Sequence, residues 1–124
     1  MNTQEVISAV LVGLVALIHI YILYLEMFLW NTPKGLKTFG MTQQVADHTK
    51  QLATNQGLYN GFLAAGLIWG LCYPDEAAGR HIQMFFLICV LAAGLFGGIT
   101  VKRSILVFQA LPALVALIVL IAVA

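Results

Sequence analysis

The apolar positions of this chain fall into four long runs separated by three short polar breaks. The first runs from Val6 to Trp30 and is broken by His19, Tyr21, Tyr24 and Glu26, with Trp30 as an interfacial anchor. A polar stretch from Asn31 to Lys50 follows, punctuated by Pro33 and Gly35, with room for a short surface helix. The second run extends from about Leu52 to Tyr73 and is stopped by Pro74 and Asp75; the third covers about Ile82 to Ile99 and the fourth about Ile105 to Ala124. A membrane-crossing helix needs roughly 20 predominantly apolar residues, so the pattern predicts four spans that take up about two-thirds of the chain. The expected fold is all-α, a polytopic four-transmembrane-helix bundle forming a single domain over residues 1–124.

Composition sharpens this expectation. With 61% hydrophobic and 9% charged residues, a water-soluble class is excluded and the lipid bilayer becomes the expected solvent and partner. A formal net charge of +1 offers no basic surface for phosphates, which argues against nucleic acid. Basic residues set the expected orientation: Lys34, Lys37, Lys50, Lys102 and Arg103 fall in the first and third loops, against Arg80 alone in the second. The excess of Lys and Arg on cytoplasmic loops therefore places both chain ends on the outer, periplasmic side of a bacterial inner membrane. Behind Glu5 there is no basic leader, and no small-residue cleavage site follows, so the first run reads as a span and not as a removable signal. Cys72 and Cys89 lack any metal or redox spacing and read as packing residues. Gly57, Gly61 and Ala65, and again Gly94 and Gly98, recur at helical spacing as seams where backbones approach closely, and the second seam is compatible with a homodimer.

Ionisable groups inside a span are expensive and usually face the protein interior. Glu26 is the only such carboxylate here. His19, seven residues earlier, returns to nearly the same helical face but lies ~10.5 Å deeper, too far for direct contact. The second span opens with Asn55, Gln56, Tyr59 and Asn60, in which Asn55 with Tyr59 and Gln56 with Asn60 make two adjacent polar rows at i,i+4. A hairpin through the first loop sets Glu26 at the level of Gln56 and His19 at that of Asn60 to Ala64, while Gln109 enters the fourth span at a similar depth. Polar side chains thus collect in the cytoplasmic half, which suits a one-sided pocket better than a through-pore. The candidate pocket comprises His19, Glu26, Asn55, Gln56, Tyr59, Asn60 and Gln109.

Phosphate loops, nucleophile elbows, HExxH and paired carboxylates are all absent from the sequence, and neither a metal nor a cofactor is expected. The strings HIYILYLEMFLW in the first span and NQGLYNGFLAAGLIWGL in the second resemble the bacterial family of small membrane proteins catalogued as domain of unknown function 1304. The resemblance extends over nearly the whole chain, with Leu25-Glu26-Met27, Asn55-Gln56-Gly57 and Tyr59-Asn60-Gly61 as its most specific parts. It implies a four-helix inner-membrane protein and brings no established activity. The family pattern often has an acidic residue where this chain has Ile18, and its members do not always carry His at the position of His19, so Glu26 and the amides carry the site.

The expected function is the binding of a small polar or amphipathic molecule in the cytoplasmic-side pocket, with Glu26 supplying a charge or a proton and the amides paired donors and acceptors. One alternative is a small proton-coupled exporter, against which stands the strong loop charge bias. The other is a membrane enzyme using Glu26, the best catalytic candidate, or His19 as an acid-base group on a lipophilic substrate.

Overall fold

A computed structural model describes residues 1–124 and contains helices and no strand. In chain order the elements are α1 (Thr3–Phe28), α2 (Pro33–Phe39), α3 (Gln43–Cys72), α4 (Glu76–Thr100), a π-helical segment (Leu106–Ala110) and α5 (Leu111–Val123).

The boundaries follow from local chemistry. Asn2 and Glu5 open α1 with reciprocal bonds: the Glu5 N–H donates to Asn2 Oδ1 at 2.9 Å, and the Asn2 N–H to Glu5 Oε2 at 3.3 Å. Thr32 caps α2 by accepting the Gly35 N–H, and Pro33 sits in the first turn, where its missing N–H costs nothing. Gly40 ends α2 in the left-handed conformation, at φ 65°, with its N–H returned to Leu36 O. Asp75 caps α4 by accepting the Ala78 N–H at 3.3 Å. Pro112 cannot donate to the carbonyl one turn back, and the turn before it widens: the Leu111 N–H reaches Leu106 O, five residues earlier.

The polar stretch expected between the first two spans proves mostly helical, as α2 followed after Gly40 by the first turns of α3. Three helical segments are long and apolar enough to cross a membrane, Thr3–Phe28, Glu76–Thr100 and Leu106–Val123. The expected second span falls on the later part of α3, a 30-residue helix whose polar stretch, down to Asn60, keeps it out of that group.

The chain divides into two compact units. The first comprises Met1–Ile18 and Leu63–Ala124. Its core combines Val12, Val15 and Ala16 of α1, Leu67 of α3, Leu87 and Val90 of α4, and Ala113, Ala116 and Leu120 of α5. Gly94 and Gly98 are filled from within the chain, Gly94 lying against the backbone of Ala110 and Gly98 against the side chain of Leu106.

The second unit, His19–Phe62, holds the end of α1, all of α2 and the start of α3. The two long helices run antiparallel here, as the cross-links show. The Trp30 indole N–H donates to Thr49 Oγ1 at 3.0 Å, and Asn31 Nδ2 to Asp47 Oδ1 at 3.2 Å. Gln43 Nε2 bonds both Asp47 Oδ1, at 2.9 Å, and Asn31 O, at 3.0 Å. The rings of Trp30 and Phe39 pack in a tilted arrangement with centroids 4.7 Å apart, seating α2 against the segment that follows α1. Two neutral hydrogen-bond donors hold the Asp47 carboxyl below its usual range, Gln43 foremost and Asn31 next.

Candidate functional site

The site is built within the second unit where Glu26 of α1 meets α3. Glu26 retains only 2% of its exposure. Its Oε1 accepts from Asn60 Nδ2 at 2.5 Å and its Oε2 from Gln56 Nε2 at 2.7 Å. Gln56 and Asn60 lie one helical turn apart, so a single face of α3 delivers both amides to one carboxyl group. Gly57 makes the approach close enough: a Cβ there would fall 2.6 Å from Met27 Cγ and 3.1 Å from Glu26 Cβ. Gly61, the next small residue along, packs against Leu23 Cδ1.

Both partners of Glu26 are neutral, and no lysine or arginine pairs with it; the chain's salt bridge joins Glu76 and Arg80, in the other unit. Two amides set against one carboxyl group can donate to both oxygens of its ionised form, and either can turn its own oxygen to accept from the protonated form. The network is closed on one side and open on the other. Asn60 is 8% exposed, while Gln56 lies on the exposed surface of α3.

The remaining candidates are placed as follows. His19 is fully buried in α1. Asn55 and Tyr59 point outward, with Tyr59 beside Phe62 at a ring separation of 5.9 Å. Gln109 is half-buried in the π-helical segment and belongs to the first unit. Of the two polar rows on α3, therefore, only Gln56 and Asn60 meet Glu26. Cys72 is exposed and Cys89 half-buried, both as free thiols.

An all-helical chain with three apolar helices long enough to cross a membrane, and a buried carboxylate clamped between two of its helices, defines a small membrane-compatible helical protein. The chain belongs to the family described as Protein of unknown function (DUF1304), which matches residues 13–121 and so includes Glu26, Gln56 and Asn60. Among its relatives is the uncharacterized protein YpaA of Lactococcus lactis subsp. lactis (strain IL1403), 31% identical over 117 residues, which cover 93% of this chain and 97% of the relative. No solved structure matches the chain.

Proposed function

We propose that the chain is a multi-pass protein of the bacterial cell membrane in which α3 supplies a fourth span, with both chain ends outside, and that it binds a small polar or amphipathic molecule at Glu26. The length of α3 supports the fourth span, since 30 residues rise about 45 Å against a hydrocarbon core of roughly 30 Å. Five basic residues in the first and third loops against one in the second favour the orientation.

The observation that carries the binding reading is a carboxylate 2% exposed, held by two neutral amides, with the Gln56 arm of the clamp on the surface. A carboxylate buried without a cationic partner has an unused demand for positive charge. A ligand bearing an amine displaces Gln56, takes over its hydrogen bond and supplies that charge, while Asn60 holds the other oxygen in place. An apolar tail then lies along the lipid-facing surface of the helices.

The test is calorimetric titration of the protein in lipid nanodiscs with n-octylamine and with n-octanol, which share a chain and differ in charge. Saturable binding of the amine, absent for the alcohol and weakened at least about tenfold by Glu26→Gln, is the expected result, the size expected when a charge-assisted bond is lost. Equal binding by wild type and Glu26→Gln overturns the reading. Amine accumulation in sealed vesicles carrying the protein favours an exporter over a binding protein.

A further inference from the structure

The first unit contains a cavity of about 240 Å³ lined by the opening turns of α1, the end of α3, the start of α4 and the end of α5. Ala9, Leu71, Leu120 and Val123 give it apolar walls. Its polar side chains are Glu5, Ser8, Tyr73, Glu76, Arg80 and Gln83, and Met1 with its amino group also lines it.

Ser8 is the unexplained residue. It is 3% exposed, and its hydroxyl has no hydrogen-bond partner in the protein. A hydroxyl on a helix can satisfy itself on the carbonyl four residues back. Thr38, Thr49, Thr54 and Thr100 all do so in this chain. Ser8 does not, and it lines the cavity. Gln83, 7% exposed, donates its amide N–H to Gly70 O at 3.1 Å, which leaves its amide oxygen to accept.

Both signs of charge line the cavity. The carboxylates of Glu5 and Glu76 are balanced by the Arg80 guanidinium, which stands 3.9 Å from Glu76, and by Met1 with its amino group. The complementary occupant carries several N–H donors and a positive charge, with an acceptor for Arg80. A volume of 240 Å³ corresponds to about eight waters at ~30 Å³ each, enough for a compact headgroup and too little for a large ligand.

We propose that this cavity is a binding site for a small primary ammonium group, either free or as the headgroup of a phospholipid. Its N–H groups bond the Ser8 hydroxyl, the Gln83 amide oxygen and the Glu5 carboxylate, and Arg80 takes an attached phosphate. The site shares no residue with the Glu26 clamp.

Native mass spectrometry of the full chain, released from membranes containing equal phosphatidylethanolamine and phosphatidylcholine, tests the proposal. The two headgroups share a phosphate and differ in whether the ammonium has N–H donors. The expected result is selective retention of the ethanolamine lipid, reduced about three- to tenfold by Ser8→Ala and by Glu5→Gln, the range for loss of one hydrogen bond. Gln at position 5 keeps the oxygen that accepts from the Asn2 N–H, so helix capping survives that substitution.

Free ethanolamine separates the sources: competition with the lipid identifies a small-amine site, and retention undisturbed by it identifies a lipid headgroup site. Glu26→Gln leaves the preference unchanged, which separates this site from the one proposed at Glu26. Equal retention of the two lipids by the wild type, with no ethanolamine binding, overturns the proposal and leaves a merely hydrated cavity. Should Ser8→Ala fail to fold, the wild-type lipid preference and Glu5→Gln still decide.

Discussion

The two arms of the Glu26 clamp should differ in energy although they look alike in geometry, because one is buried and the other is not. Asn60→Ala removes the donor at Oε1, and a side chain 8% exposed leaves water little access to replace it on a carboxyl group 2% exposed. Stranding a buried acceptor costs about 1–3 kcal/mol, more where the group is charged. Gln56→Ala removes a bond of similar length, 2.7 Å against 2.5 Å, but from an exposed position where water can donate instead. Its expected cost is about 1 kcal/mol or less. Combining Asn60→Ala with Glu26→Gln should give a coupling energy of about 0.5–3 kcal/mol, since the two residues are in direct contact. Reversible unfolding of the wild type and the four variants in mixed micelles supplies the numbers. A Gln56→Ala variant as unstable as Asn60→Ala, or a cycle without coupling, would refute the idea that burial distinguishes the arms.

Gly57→Ala would set a Cβ 2.6 Å from Met27 Cγ, and Gly94→Ala one 2.6 Å from the Ala110 nitrogen; each should destabilise by about 1–3 kcal/mol in the same unfolding assay. Gly13→Ala meets nothing within 4 Å and should be neutral or stabilising by up to about 1 kcal/mol, so a loss there comparable to the other two would contradict the packing argument. Gly40→Ala forces a side chain into φ 65° and should loosen the end of α2 by about 1 kcal/mol, measurable as faster amide exchange at Met41 with exchange in α4 unchanged. The Asp47 carboxyl is held below its usual range, chiefly by Gln43, so its contribution is present above the ordinary carboxylate pKa and is lost as pH falls through the lowered folded value. Acidification should therefore lower amide protection, taken relative to the intrinsic exchange rate at each pH, in the first turns of α3, and Asp47→Asn should remove that loss; an unchanged acid response in the variant would count against it.

What the sequence disclosed about the clamp depended on which geometrical facts are local. A carboxylate near the end of one apolar run, and amides one turn apart near the start of the next, are local facts; a hairpin brings them to the same depth, so Glu26, Gln56 and Asn60 can be grouped from the order of residues alone. The choice between the two polar rows of α3 is rotational, and periodicity alone leaves it open. Gly57 carries the missing signal, because the residue that lets α1 approach marks the contact face. At about 100° per residue, Asn60 lies ~60° and Gln56 ~100° from Gly57, while Asn55 and Tyr59 each lie ~160° away. The outward row is the one opposite the glycine. Gln109 stands in the π-helical turn before Pro112, which inserts an extra residue into the helical register and rotates what precedes it, so periodicity does not give its face. The same tension between polarity and burial accounts for α3 as a whole. The amides that satisfy Glu26 also lower the apolarity of the helix that carries them, so the long helix that completes the site is the one that falls outside the group apolar enough to cross a membrane.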